Sequence, residues 1–262
     1  MPSYAEDLDL ALNLADLADG VTLDRFRALD LVVETKPDLT PVTDADRAAE
    51  VVLRERLKAD RPTDAVQGEE YGNTGRADRT WILDPIDGTK NFVRGVPVWA
   101  TLIALVQEGD PVVGVVSAPA LGRRWWAARG EGAWVGGLIV GPAQPLRVSR
   151  VTDLSNASFS CSDHVGWSER GLGHGFRALA KNAWRYRAYG DFWSHMLVAE
   201  GAVDVAAEPD LAAWDMAALV PIVEEAGGRI TAVDGRPALV GGSAVTTNGL
   251  LHDTVLATLN GS

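Results

Sequence analysis

The chemistry of this chain concentrates in Trp81-Ile82-Leu83-Asp84-Pro85-Ile86-Asp87-Gly88-Thr89-Lys90-Asn91. The apolar run 81–83 delivers Asp84 to the end of a buried strand, and Pro85, which cannot donate to a sheet ladder, turns the chain out. Asp87 follows three positions later, and Gly88-Thr89 opens a helix. Amides at a helix start bind anions, whereas hard cations such as Mg²⁺ take carboxylate oxygens. Two carboxylates beside a free helix N-terminus therefore read as a metal-dependent phosphate site. A buried carboxylate needs a partner, which sets Asp84 and Asp87 apart from ordinary surface acids.

Other acids lie on separate segments: Asp44 and Asp46 after Thr43, Glu69 and Glu70 in Gln67-Gly68-Glu69-Glu70, and Asp215 after Trp214 at a helix start. Asp44, Glu70 and Asp210 read as solvated charges or helix-dipole partners. His195 and His252 read as helix-face residues, His164 and His174 as loop residues. No activated serine or cysteine nucleophile is visible, which leaves direct attack by water. Oxygen ligands throughout favour Mg²⁺ over Zn²⁺.

Bulk composition narrows the setting. A formal charge of −12 argues against nucleic acid as a partner. An acidic protein that handles phosphate must recruit it with metals or a few placed cations. The single cysteine, Cys161, excludes an intrachain disulfide and a cysteine-based zinc site, and fits a reducing cytoplasm. Residues 1–20 carry four aspartates and one glutamate without a basic start, and so do not read as a signal peptide. No apolar stretch approaches the roughly 20 residues that span a bilayer.

The elements that must position these residues follow from periodicity. Residues 5–19 place Leu8, Ala11, Leu12, Ala15 and Ala18 on one helix face. A proline-broken loop fills 36–41, and Thr43 caps a helix that runs to about Ala59. Strands are expected at 81–84, 99–106, 111–117, 124–128 and 132–135, which makes a largely antiparallel sheet flanked by helices. The second half alternates: strands at 157–161, 203–207, 229–232 and 244–247, and helices at 191–200, 213–226 and 250–259. That is α/β layering. Two lobes are expected, 1–145 and 146–262, within one compact unit, with Gly141-Pro142-Ala143-Gln144-Pro145 as connector. Residues 71–76 read as a Gly-rich flap or plain surface loop.

Taken in order, Gly68-Glu69-Glu70, Asp84-Pro85-Ile86-Asp87-Gly88-Thr89, Trp214-Asp215-Met216-Ala217-Ala218 and Glu225-Ala226-Gly227-Gly228 resemble the inositol monophosphatase family, the lithium-sensitive Mg²⁺-dependent phosphatases. The resemblance runs from about residue 5 to residue 259. It implies an α+β (α/β) fold, a layered αβαβα sandwich, normally a homodimer. It further implies Glu69, Asp84, Asp87 and Asp215 as side-chain metal ligands and Ile86 as a carbonyl ligand. Asp46 matches the position that orients the attacking water with Thr89 and holds a further Mg²⁺, for two to three ions per site. Asp46, Thr89 and Glu69 are thus the expected catalytic residues. Gly88, Thr89, Arg187, Asp191, Glu208 and Asp215 are the expected substrate-binding residues.

Within that family the substrate is open among inositol phosphates, sugar bisphosphates, adenosine 3′,5′-bisphosphate and histidinol phosphate. The stretch Arg187-Ala188-Tyr189-Gly190-Asp191-Phe192-Trp193 discriminates. Inositol phosphatases usually carry a small uncharged residue after this glycine, and an acid there resembles the histidinol-phosphatase branch. Lys90, where inositol phosphatases usually have Thr or Ser, points the same way and is shared with nucleotide-bisphosphate relatives. Histidinol phosphate carries an ammonium group and an imidazole, so Asp191 and Glu208 suit it as receptors, Glu208 at a position that also contacts substrate in the inositol enzymes. Asp191 has a second reading as N-cap of the 191–200 helix, and Arg187 either screens phosphate or braces Asp191. Phe192 and Trp193 read as core packing. The alternative function is an inositol-1-monophosphatase or a broad small-molecule phosphatase.

Overall fold

The computed structural model describes residues 3–137 and 141–261. Helix α1 (Ala5–Arg25) buries Leu10, Ala11, Leu14, Ala15 and Ala18, an i, i+3/i+4 stripe. It outlasts its expected end by a turn and a half, while Leu8 and Leu12 flank the stripe, half-buried. Strands β1 (Val33–Thr35) and β2 (Pro41–Thr43) pair as a hairpin around the expected loop. Three-residue strands are too short to show alternation in the sequence. Thr43 caps α2 (Asp44–Asp60): its hydroxyl accepts from the amides of Ala45 and Asp46, and the Asp46 carboxylate accepts from its amide, a capping box.

Next come β3 (Ala65–Gly68), β4 (Gly72–Thr74), β5 (Arg79–Asp87), α3 (Thr89–Val93), β6 (Ala100–Gln107), β7 (Asp110–Ala118), β8 (Arg123–Ala128), β9 (Ala133–Gly137) and β10 (Gly141–Pro145). The eight strands order as β10-β9-β8-β7-β6-β5-β3-β4. All pairings are antiparallel save β3 with β5. Three expectations change here. Strand β5 does not end at Asp84 but continues through Pro85 across a bulge. The 141–145 connector is the edge strand β10, where prolines forfeit no ladder partner on the open side. The 71–76 loop contains β4, the opposite edge.

The remainder folds as β11 (Ser158–Ser160), α4 (Val165–Glu169), α5 (Gly173–Asn182), β12 (Arg185–Arg187), α6 (Asp191–Ala199), β13 (Val205–Glu208), α7 (Ala213–Met216), α8 (Leu219–Glu225), β14 (Arg229–Thr231), α9 (Ala238–Gly241), β15 (Ala244–Thr247) and α10 (His252–Asn260). The second sheet orders β12-β11-β13-β15-β14. The single helix expected over 213–226 is two, α7 and α8, separated at Ala217-Ala218. Pro221 sits in the first turn of α8, where amides have no intrahelical acceptor.

Five layers result. Helices α1 and α2 cover one face of the large sheet around Leu14, Leu53, Trp81 and Val115. Helices α6 and α8 fill the space between the two sheets, where Trp125, Phe192, Met196 and Ile222 share a core. Helices α4, α5 and α10 cover the outer face of the small sheet around Phe159, Trp167 and Val255. The central core draws on residues from both sides of position 145, Ile82 and Trp125 as well as Ile222 and Ala244. Among the described residues no helix is long and apolar enough to cross a membrane.

Candidate active site

One cleft of about 950 Å³ opens where the large sheet, the central helices and the small sheet meet, lined by Glu69, Asp84, Asp87, Gly88, Asp191, Glu208 and Asp215 among others. Strand geometry alone would keep Asp84 and Asp87 apart, since residues three apart face opposite sides of a sheet. The bulge removes that conflict. Asp84 pairs with Leu102 and Asp87 with Ala100, so β5 gains one residue on β6 and both carboxylates reach the same side. The Thr101 hydroxyl donates to the Pro85 carbonyl at 2.8 Å and fixes the distortion. Helix α7 adds Asp215, anchored through the Ala212 amide at 2.7 Å.

Oxygens of Asp84, Asp87 and Asp215 lie within 4.8 Å of one another. Burial first, then the neighbouring acids, pushes the Asp84 and Asp87 carboxyls well above the usual carboxylate range. Asp215 is pushed up to about 7, again chiefly by burial. Asp84 is 1% exposed, and its Oδ1 finds no hydrogen-bond partner among the described residues. Buried carboxylates crowded in this way, one with an orphaned oxygen, suit a hard divalent cation. The donor set offers oxygen as the only ligand atom, which suits a hard cation.

Around this trio stand the other expected residues. Glu69, on the turn after β3, lines the same cleft, and its carboxylate accepts from Lys36 Nζ at 2.6 Å, reaching over from the β1–β2 hairpin. Lys36 also contacts Glu70 at 2.5 Å, so Glu70 is an ion-pair partner and not a solvated charge. Those pairs hold the Lys36 ammonium above its usual range although burial pulls the other way. Asp46 is 1% exposed. Its Oδ2 is taken by the Thr43 amide and hydroxyl, which leaves Oδ1 at 3.3 Å from Thr89 Oγ1. Thr89 Oγ1 also lies 2.9 Å from the Ile86 carbonyl oxygen. Gly88, at φ +86°, precedes α3 and leaves no room for a side chain: a Cβ would stand 3.0 Å from the Val98 carbonyl oxygen.

The opposite wall carries Asp191 and Glu208. Gly190, not Asp191, is the N-cap of α6, which removes the capping reading of Asp191. Asp191 instead adopts φ +47°, costly for a residue with a side chain, and its Oδ2 accepts from Asn91 Nδ2 at 3.1 Å. Burial raises its pKa, with Lys90 pulling the other way. Glu208 Oε1 accepts from the Ser162 amide at 2.5 Å and hydroxyl at 2.8 Å. Burial drives Glu208 up to about 8. The Ser162 hydroxyl also accepts from the Asp191 amide at 2.9 Å, joining the two acids. Arg187 is not brought to the cleft: it is exposed and donates to the Tyr186 carbonyl. Phe192 is buried in the core as expected.

Lys36, Asn91 and Ser162 escaped the sequence reading. Asn91 stands inside the opening motif and was available to it. Lys36 lay in a segment read only for its prolines, and no spacing tied Ser162 to Glu208. His195, 1% exposed on α6, pairs Nδ1 with Thr246 Oγ1 at 2.8 Å and is pushed down to about 4 by burial.

The inositol monophosphatase family model matches residues 4–262. The chain belongs to this family. Inositol monophosphatase relatives include the histidinol-phosphatase of Mycobacterium tuberculosis, 61% identical over 97% of this chain and 98% of that one. The histidinol-phosphatase of Streptomyces coelicolor is 58% identical over 99% of each. Among solved structures, the Thermotoga maritima IMPase superposes with TM-score 0.86 at 31% identity, covering 98% of this chain and 97% of that one.

Proposed function

We propose that this enzyme is a Mg²⁺-dependent phosphomonoesterase that hydrolyses histidinol phosphate to histidinol and phosphate, a step of histidine biosynthesis. The observation that carries the substrate assignment is the joined pair Asp191–Glu208 facing the acid trio across one cleft. Carboxylates are the natural receptors for an ammonium group; they also accept from hydroxyls, and Glu208 matches a substrate-contacting position in inositol phosphatases, so Asp191 carries the distinction. The two histidinol-phosphatases, similar over nearly the full chain, support the same reading.

Glu69, Asp84, Asp87, Asp215 and the Ile86 carbonyl would hold the ions, with Asp46 completing a further site, two to three in all. Bound Mg²⁺ would supply positive charge against the phosphate and the leaving oxygen and make a water acidic. Thr89 Oγ1 orients that water, and Asp46 Oδ1 behind it takes the proton. Burial pushes Asp46 up to about 6, which leaves it mostly ionised at neutral pH and suited to the task. The Gly88 and Thr89 amides, and Lys90 at the cleft edge, bind the phosphate. Asp191 and Glu208 receive the ammonium and imidazole. Segments 1–145 and 146–262 act as two lobes of one unit. The lone Cys161 supports a cytoplasmic location, and the family resemblance supports a homodimer.

Phosphate release with Mg²⁺ tests the reading on histidinol phosphate, inositol 1-phosphate, fructose 1,6-bisphosphate and adenosine 3′,5′-bisphosphate. The expected preference for histidinol phosphate is at least about 100-fold in kcat/KM, or roughly 2.7 kcal/mol. Equal or better turnover of inositol 1-phosphate would discard the substrate and keep the metal chemistry.

A further inference from the structure

Glu50 is 0% exposed, yet the reaction as derived gives it nothing to do. It lies one turn beyond Asp46 on α2, and Arg54 follows one turn further, so spacing of four puts the three on one face. Asp46 reaches Thr89. Glu50 reaches the turn that carries Glu69: Oε2 accepts from the Glu70 amide at 2.7 Å, and Oε1 from the Tyr71 amide at 3.2 Å. Arg54 Nε donates to Glu50 Oε1 at 2.6 Å, while its other nitrogens hold the Gly72 carbonyl and, at 3.2 Å, the Thr74 hydroxyl. The Glu69 amide itself donates to the Leu83 carbonyl at 3.2 Å. Three consecutive amides are thus fixed, two of them by Glu50. The packing is tight enough that a Cβ on Gly68 would stand 2.0 Å from Glu50 Oε1. The glycine before Glu69 makes room for the Glu50 carboxylate.

We propose that Glu50, braced by Arg54, is the positioning residue for Glu69. It clasps the turn after β3 so that the Glu69 carboxylate stays aimed into the cleft in the absence of a cation. The same helix face then sets both the water-orienting pair, through Asp46, and the Glu69 turn. The inference rests on Glu69 as a metal ligand. It assigns Glu50 no contact with metal or substrate.

The test is a Mg²⁺ titration of the metal-free protein by isothermal calorimetry, beside the Mg²⁺ dependence of turnover. Glu50→Gln keeps the size of the side chain but sets an amide NH₂ against an N–H donor. It is expected to weaken Mg²⁺ binding and raise the half-activating Mg²⁺ concentration together, by roughly tenfold, the scale of an outer-shell change. At saturating Mg²⁺ its kcat should stay within about twofold, since a cation restores what the clasp supplied. Arg54→Gln leaves both amide bonds in place and should shift the same constants less, which keeps the idea testable if Glu50→Gln fails to fold. A purely structural Glu50 would lower the melting temperature in chelator and leave both Mg²⁺ constants unmoved; that result overturns the clasp. Glu69→Gln is the reference: it must shift Mg²⁺ binding itself. If it does not, the ligand reading fails and the clasp with it.

Discussion

The two walls of the cleft both carry acids, three on one and two on the other, and differ in how far those acids are satisfied. On the β5–α7 side, Asp84, Asp87 and Asp215 crowd together and Asp84 Oδ1 is buried without a partner among the described residues. On the β11–β13–α6 side, Glu208 takes the amide and hydroxyl of Ser162, and Asp191 takes the Asn91 amide group. Unmet electrostatic demand marks the first wall as incomplete without cations, because a buried charge must be compensated or neutralised. The second wall is satisfied in its resting shape, as suits a receptor that recognises by preformed geometry. Carboxylates alone do not tell a metal site from a substrate site; what already binds them does.

The sharpest break of this contrast is Asp84→Asn. Turnover should fall at least 10²–10³-fold, roughly the loss of a well-placed transition-state charge partner. In chelator the same variant should be more stable than the parent at pH 8, because it removes a buried repelling charge. The parent's pH dependence follows from the direction of the shifts. Folded Asp46, Asp215 and Glu208 are raised to about 6, 7 and 8, above the unfolded values near 3.8 and 4.5. The folded state then binds more protons than the unfolded one across that window. Stability contributed by these protonated groups is present below pH 4 and lost as pH rises through 6 to 8. Melting temperatures in chelator should therefore decline over that range, and excess Mg²⁺, which favours ionised ligands, should flatten the decline. A chelated protein whose stability rises from pH 5 to 8 would contradict the raised pKa values of these buried acids.

How much of this was legible beforehand differs between the walls. Asp84, Asp87 and Gly88 fall within five residues of one another, so local spacing exposed them, as did the layered fold through strand and helix periods. Yet an apolar run before Pro85 reads as a strand that ends at Asp84; only the β6 register reveals a bulge, and register is not local. The second wall is assembled from residues 162, 191 and 208, with Asn91 from the other half of the chain, and no period connects them. Asp191 was found for its charge, but its role as a helix cap lapsed because Gly190 already holds that place. Residues 165–187 gave no elements in advance. Gly171, Gly173 and Gly175 interrupt the helical pattern that Trp167, Phe176 and Leu179 complete in three dimensions.

An intermediate effect is expected at Asp191, where the contrast becomes one of specificity. Asp191→Ser removes the proposed charged receptor and keeps a small polar group. A charge-assisted contact of about 1.5–3 kcal/mol predicts a loss of roughly 10- to 100-fold in kcat/KM on histidinol phosphate. Inositol 1-phosphate, which presents no cation, should change by no more than about threefold on the same energetic scale. Side-by-side kinetics decide it. Equal losses on both substrates would place Asp191 with the reaction chemistry and blur the division between the walls.

The smallest effect, and the finest probe of the second wall, is Ser162→Ala. Its hydroxyl accepts from the Asp191 amide and donates to Glu208, while its own amide also serves Glu208. Alanine keeps that amide bond, so Glu208 stays partly held. A neutral hydrogen bond contributes about 1 kcal/mol net, which predicts a rise of roughly fivefold in KM for histidinol phosphate. The value of kcat and the Mg²⁺ dependence should not move, because the hydrogen bonds of Ser162 go to Asp191 and Glu208. That split is what distinguishes a preformed receptor from a site that substrate assembles. If the hydroxyl only packs, KM will stay put. If instead kcat falls and the Mg²⁺ requirement rises, then Asp191, whose charge lies close enough to Asp87 to raise its pKa, is transmitting the change across the cleft, and the two walls work as one.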